Sequence, residues 1–465
     1  MAGAATRSVD SLIEARWIVP VRPQRSVLEQ HCVVVDQGRI LDVLPAAQAR
    51  LQYEAKSVVS LPGHALIPGL VNVHAHAAMS LLRGVGDDMP LAQWLQDRIW
   101  PLERALVSPE FTYDGTRLAA LEMLRAGVTC CNDMYFFPAE AALALRSLGL
   151  RAAVGILTID FPSRYANDAD DYLRKGLEAR DTLKSDALIS FTLAPHAPYT
   201  VSDETLGRIA TLAEELDLPV HMHVHETAGE IEQSLREYSS RPLERLERLG
   251  LVSERLIAVH ATQLLEAEIE LLARRGASVA HCPASNCKLA SGVAPVARML
   301  EMGICVGIGT DGAASNNRLD VLRETALAAL LAKATAQDAA AMPSWLALEC
   351  ATLSGARALG LDSRIGTIES GKEADLTAVD LSAIENQPCY DVISQIVHCA
   401  GREHVTHVWV AGDCLLSDRA IVNIQHPGVS EEIIRAAAPW QNQVRQKWKE
   451  TVTTMPASQT RKGKE

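Results

Sequence analysis

The sequence predicts an α/β chain: a (β/α)8 barrel of the TIM type with a smaller, discontinuous β-sandwich domain beside it. Three observations lead there. Eight short apolar runs alternate with amphipathic stretches from Leu66 onward. Strand-like segments without helical spacing precede and follow that region. Histidines or an aspartate close several of the eight runs, the place where barrel enzymes carry their chemistry. A length of 465 residues suits one barrel plus a smaller domain, since such barrels take about 250 residues or more.

Residues 1–65 supply the N-terminal part of the β-sandwich, through SLIEARWIV, SVLEQHCVVVDQGRILDVLP and SVVSLPGHALIPG; Gly38 in DQGRI marks a hairpin turn. Residues 66–358 form the barrel. Its strands are ALIPGLVNVHAH, VTCCNDM, RAAVGILTID, LISFTLAPH, LPVHMHVHE, RLIAVHATQL, ASVAHCPASN and GICVGIGTDG. Between them TRLAALEMLRAG, DETLGRIATLAEELD, LEAEIELLARRG and LDVLRETALAALLAKA repeat apolar residues every three or four positions, the helical period. Gly127, Gly276 and Gly303 stand where helices should end before strands. Residues 359–435 return to strands, IGTIESGKEADLTAVD and VTHVWVAGDCLLSD, which should join the N-terminal ones. Residues 436–465 read as a terminal helix and a disordered tail, TTMPASQTRKGKE.

Composition narrows the function. The formal net charge is −13, which argues against a nucleic-acid partner. Ten cysteines occur without a Cys-x-x-Cys pair, so a zinc knuckle or thioredoxin-like motif is not expected and free thiols in a reducing compartment are. The opening MAGAATRSVD lacks the apolar core of a signal peptide, and no apolar run approaches the roughly 18 residues of a membrane span. The expectation is a cytoplasmic protein without a membrane partner, and a homo-oligomer as the default for such enzymes.

The chemistry-bearing residues lie at strand ends. In VNVHAHAAM, His74 and His76 are two apart, so their side chains share a direction. Two converging imidazoles can hold a divalent ion, though they can also make ordinary hydrogen bonds. In LPVHMHVHE, His221, His223 and His225 alternate, and the pattern alone does not choose among them. His260 ends the sixth run and Asp311 the eighth. Alone, Asp311 reads as a helix cap; around one barrel mouth, all of these read as a metal centre.

PGLVNVHAHAAMSLLRG followed by HVHE, AVHATQL, HCPASN and GTDGAASNN resembles the amidohydrolase superfamily, most closely its 5′-methylthioadenosine/S-adenosylhomocysteine deaminase group, related to guanine and triazine deaminases. The likeness runs from about residue 10 to about residue 430. It implies a hydrolytic deaminase with His74, His76, His223 and Asp311 as metal ligands, and Glu226, His260 and Asp311 as catalytic groups. Strand four carries no lysine to be carboxylated, so one ion is implied: zinc first, iron or manganese as alternatives. Substrate contacts carried over are Glu103, for ribose hydroxyls, His196, Glu226, Trp94 and Ser315. The bland readings are a solvated charge for Glu103, a structural histidine for His196, a core anchor for Trp94 and a self-bonded loop residue for Ser315.

The resemblance implies a metal-activated water, with Asp311 as base and then acid, Glu226 protonating the ring nitrogen and His260 orienting the attacking oxygen. Relatives that take S-adenosylhomocysteine use arginines near strand three. Here Ala152–Ile159 has none, so 5′-methylthioadenosine is expected first, with S-adenosylhomocysteine and adenosine weaker, although Arg164 lies in the next loop. The runner-up is a guanine, 8-oxoguanine or cytosine deaminase or an s-triazine hydrolase. A reading from another class is a non-catalytic assembly protein on the same scaffold.

Overall fold

A computed structural model of the chain describes residues 6–422 and 428–453. Among the described residues sixteen strands form two sheets. The first four are β1 (Arg7–Ile18), β2 (Leu28–Asp36), β3 (Arg39–Pro45) and β4 (Tyr53–Pro68). The next eight are β5 (Leu70–Ala75), β6 (Val128–Asp133), β7 (Arg151–Thr158), β8 (Ile189–Pro195), β9 (Val220–Val224), β10 (Leu256–His260), β11 (Ser278–His281) and β12 (Cys305–Ile308). The last are β13 (Leu376–Asp380), β14 (Val405–Val410), β15 (Asp413–Ser417) and β16 (Ala420–Ile421).

The terminal strands make one sheet in the order β16-β15-β14-β13-β4-β1-β2-β3. Its two halves join where β13 runs antiparallel to β4, with Leu376 opposite Pro68 and Asp380 opposite His64. The β2–β3 turn needs left-handed backbone at Gln37 and Gly38, φ 52° and 75°, as a two-residue hairpin demands. A side chain on Gly38 would place its first carbon 2.5 Å from the Ala411 carbonyl, because the sheet curls until this turn meets the β14–β15 turn. Ile13, Val33, Leu66, Leu376 and Trp409 pack inside the curl. The segment IGTIESG, expected to be strand, is instead a bend. Gly366 and Gly371 take φ of 91° and 92°, and the chain there hydrogen-bonds Ile40 through Gly371 N and Lys372 O rather than extending β13.

The eight apolar runs form the barrel, each parallel to the next from β5 to β12. Strands buried on both faces read as continuous apolar text. The ring closes between β12 and β5. There Asp311 N donates to His74 O at 3.0 Å. The Asn72 side chain accepts from Thr310 N at 2.9 Å and donates to Thr310 Oγ1 at 2.8 Å. Helices leave the upper strand ends on side-chain caps: Asp168 after β7, Ser202 after β8, Thr227 after β9 and Asp320 after β12. Gly276, in the left-handed conformation, ends the Glu266–Arg275 helix before β11.

Two further contacts tie outlying elements to the barrel. Arg151, at the lower end of β7, is buried against Asp375 at 2.9 Å and Glu373 at 2.6 Å, tying the barrel floor to the sheet. The helix Val429–Thr453 lies against the Pro109–Arg125 helix, through Arg117–Glu432 at 2.8 Å and Trp440 Nε1 donating to Asp114 at 2.9 Å. The tail expected to be disordered lies, from residue 454 on, outside the described residues. No helix among the described residues is long and apolar enough to cross a membrane.

Candidate metal centre and active-site pocket

The upper ends of β5, β9, β10 and β12 bring His74, His76, His223, His260 and Asp311 to one point. Two overlapping trios, His74/His223/His260 and His74/His76/Asp311, each offer ligand atoms within 4.8 Å of one another. Asp311 Oδ1 lies 3.4 Å from His74 Nε2 and 3.3 Å from His76 Nε2. The chain is bent sharply to achieve this: His260 and Asp311 adopt φ of 72° and 61°, left-handed values that side-chain-bearing residues hold only where their surroundings enforce them.

Each imidazole is anchored through Nδ1. His76 Nδ1 donates to Met134 O at 2.5 Å, and His223 Nδ1 to His196 O at 2.7 Å. A carbonyl only accepts, so both rings carry their proton on Nδ1 and present a bare Nε2 to the centre. His74 Nδ1 bonds His221 Nε2 at 2.9 Å, and His260 Nδ1 bonds Asn286 Oδ1 at 2.8 Å. His74 Nε2 is fully buried with no hydrogen-bond partner, a cost that a cation at the centre would relieve. Burial pushes the His74 imidazole down to about 4 and lowers those of His223 and His260 too, keeping them neutral as metal ligation requires. For Asp311, burial raises the pKa, but the close approach of His74, with His76 and His260 nearby, outweighs it and holds the carboxyl well below its ordinary range. Of the three alternating histidines, His223 faces the centre and His221 supports His74. His225 is pinned elsewhere, accepting from Leu243 N at 3.1 Å. The donor set, imidazoles and one carboxylate, fits a divalent ion of the zinc type.

The centre floors a pocket walled by apolar side chains, among them Trp94, Ile99, Met134, Leu157 and Phe161. Glu226 stands 3.8 Å from His260 Nε2. Burial, reinforced by the Asp311 charge, pushes its carboxyl up to about 8, so it is protonated at neutral pH. Two backbone N–H groups, of His225 and Glu226, donate to the buried Glu230 carboxylate at 2.9 and 2.7 Å, which fixes the turn that carries Glu226. Glu103 accepts from Tyr135 Oη at 2.9 Å, and burial raises its carboxyl to about 7 against that hydrogen bond. The Thr200 hydroxyl donates to Ala197 O at 3.1 Å and so accepts from His196 Nδ1 at 3.0 Å. His196, neutral and near 3 through burial, therefore turns an accepting Nε2 to the pocket it lines. Trp94 lines the same pocket and is also a core anchor, its indole N–H bound to Val85 O at 3.0 Å. Ser315 reaches the pocket edge with its hydroxyl on Gly312 O at 3.0 Å.

His221 had been one of three open candidates, and four residues of this arrangement had no role in the sequence reading: Glu230, Tyr135, Asn286 and Ser285, whose hydroxyl donates to Asp311 Oδ2 at 2.6 Å. The last two belong to HCPASN, a motif that carried the family likeness but was given no role of its own.

Comparison with known proteins agrees with this architecture. Residues 65–415 match the model of the amidohydrolase family. A 5-methylthioadenosine/S-adenosylhomocysteine deaminase of Teredinibacter turnerae is 44% identical over 94% of this chain and 98% of its own length. The crystal structure of an adenosine deaminase from Xanthomonas campestris with bound zinc superposes with a TM-score of 0.93 at 50% identity, covering 95% of this chain and all of that one. A guanine deaminase from C. acetobutylicum shares the fold, with a TM-score of 0.77 at 21% identity over 87% of this chain and 99% of that one. With a barrel of this topology, a histidine–aspartate centre at its mouth and relatives matched along nearly the whole length, the chain belongs to the amidohydrolase family.

Proposed function

We propose that the protein is a hydrolytic deaminase of adenine nucleosides that converts the 6-amino group to oxygen and releases ammonia, with 5′-methylthioadenosine preferred over S-adenosylhomocysteine and adenosine. The observation that carries this reading is the pairing, in one pocket, of a protonated buried acid, Glu226, with an ionised carboxylate, Asp311, across a cluster of bare imidazole nitrogens. The relative from Teredinibacter and the solved structure from Xanthomonas support it by their names.

His74, His76, His223 and Asp311 would hold one divalent ion, zinc first, and His260 Nε2 faces the same point. When bound, the ion polarises water enough to supply hydroxide near neutral pH. Asp311 accepts a proton from the attacking water as its oxygen bonds to C6. Glu226 gives its proton to N1, so that charge does not accumulate on the ring. The C6–N6 bond then breaks, the proton held by Asp311 leaves with the amino group as ammonia, and the remaining proton on the new C6 hydroxyl returns to Glu226, so the product keeps a carbonyl at C6 and hydrogen on N1. His260 orients the attacking oxygen. Glu103 and the accepting Nε2 of His196 suit ribose hydroxyls.

The apolar walls suit a methylthio group. A second cavity adjoins the first, sharing Trp100, Glu103, Phe136 and Phe161, and has Arg104 and Arg164 on its rim. Arg164 there donates to Ala105 O at 3.1 Å, and the cavity leaves room for a longer 5′ substituent.

The test is ammonia release from the three nucleosides at equal concentration. The largest signal is expected from 5′-methylthioadenosine; a dominant S-adenosylhomocysteine signal rejects the ordering. Glu103→Ala should raise KM for a nucleoside at least tenfold, and undiminished nucleoside turnover would overturn the assignment.

A further inference from the structure

One loop supports all three reacting groups. It follows β11, which contributes no ligand. Ser285 Oγ donates to Asp311 Oδ2 at 2.6 Å. Asn286 Oδ1 holds His260 Nδ1 at 2.8 Å, and Ser291 Oγ lies 3.5 Å from Glu226 Oε1. The loop is itself clamped. Its helix, Pro283–Lys288, has the Ala284 N–H bound to the buried Glu324 carboxylate at 2.9 Å. The same carboxylate accepts from Asn316 Nδ2 at 3.0 Å, on the segment that follows Asp311.

The two oxygens of Asp311 are thereby unlike. Oδ1 accepts from Gly312 N at 2.7 Å and faces the Nε2 atoms of His74 and His76. Oδ2 has the Ser285 hydroxyl. The torsion that turns a carboxylate is soft and roughly two-fold, so an unheld Asp311 could exchange its oxygens or tilt away from the imidazoles. A short hydroxyl–carboxylate bond is among the stronger hydrogen bonds available to it. We infer that Ser285 is a positioning residue for the deamination: its hydroxyl holds Asp311 through Oδ2 so that Oδ1 stays toward the histidine cluster. It acts through Asp311 and need not touch the substrate. The inference rests on the reading of Asp311 as both ligand and proton acceptor.

The test uses the full-length protein and two readouts. Zn2+ affinity is measured by competition with a chromophoric chelator, with no nucleoside present, and steady-state turnover is measured on the Zn2+-loaded protein. Ser285→Ala should weaken Zn2+ binding about 10- to 100-fold, and after loading at saturating Zn2+ should lower kcat by a similar factor with KM within threefold of the parent. Ser285→Thr, which keeps the hydroxyl, should restore both to within threefold. Ser285→Cys, which keeps the volume but is a weak donor, should fall with the alanine variant and serves as a second probe if that variant folds poorly. A buried serine with only a packing role would change thermal stability but neither readout. Alanine and cysteine variants within threefold of the parent in both, or a threonine variant as impaired as the alanine one, would overturn the inference. A parent that binds Zn2+ yet turns over no purine nucleoside would overturn the proposed function, and the affinity comparison would still decide on Ser285.

Discussion

Glu226 illustrates how much a single residue's chemistry depends on where the fold buries it. In water a glutamate would be ionised at neutral pH and useless as a proton donor. Here burial, with the Asp311 charge nearby, pushes its carboxyl up to about 8, and the Ser291 hydroxyl only partly opposes this. The protonated form is the one that can donate to a ring nitrogen. Activity that depends on it should therefore hold below about pH 8 and fall as the pH rises through that value. A profile of kcat/KM from about pH 6 to 10 checks this. Glu226→Gln keeps the shape but has no proton to give. It should lose roughly 10²- to 10⁴-fold in turnover and lose the descending limb at high pH. A glutamine variant with the parent's profile would remove Glu226 from the proton path.

Among elements, the helix that delivers Glu103 departs from regular geometry. Leu95–Ile99 forms a π turn in which the Trp100 N–H donates to the Leu95 carbonyl, five residues back. Pro101 follows immediately. It has no N–H to give to Asp97 and its ring crowds the preceding turn, so the backbone widens there. On a regular helix of about 3.6 residues per turn, Trp94 and Glu103 would lie about half a turn apart; with the wider turn both line the pocket. Pro101→Ala, which restores an N–H for Asp97 and removes the crowding ring, should let the turn close to regular helix, turn Trp94 away from Glu103 and raise KM for a nucleoside about tenfold while Zn2+ affinity stays at the parent's value. Chelator competition and steady-state kinetics on the same preparation check both halves. Such a turn was not readable beforehand, because WPLER carries only the proline and not the register it imposes. The same limit hid Ser285 and Asn286, which act across the barrel mouth on Asp311 and His260. His74, His76, His260 and Asp311 were readable because an apolar strand ending in a polar side chain points to a barrel mouth in the sequence itself. The choice of His223 among three alternating histidines was not, and came from the likeness to a family. In the folded chain the Nδ1 hydrogen bond to His196 O turns His223 Nε2 to the centre.

For the whole molecule, the alternation of apolar runs was enough to anticipate the barrel, since each run is buried on both faces and each helix shows one apolar stripe. The join between the barrel and the curled sheet was less legible, because it includes a buried ionic cluster in which Arg151 is more than 200 positions from its acidic partners. Arg151 is 1% exposed and meets Asp375 through two nitrogens at 2.9 Å each, with Glu373 at 2.6 Å. Asp375 also accepts from Ala411 N at 2.8 Å, and Arg364 holds the other side of Glu373 at 2.7 Å. Replacing such a cluster outright by apolar groups can be neutral, but removing one member leaves charge buried without its partner, which costs about 3–5 kcal/mol. Arg151→Met should therefore lower stability by about that amount in a denaturant melt monitored by tryptophan fluorescence. Asp375 suffers most, because Glu373 still has Arg364. Arg151→Met combined with Asp375→Asn should regain part of the loss by removing the stranded charge while keeping an acceptor for Ala411 N. Arg151 sits at the lower end of β7 and the reacting groups at the upper strand ends, so turnover per folded molecule should be unchanged in both variants. Equal stability in parent and Arg151→Met would show that this ionic cluster does not hold the sheet to the barrel.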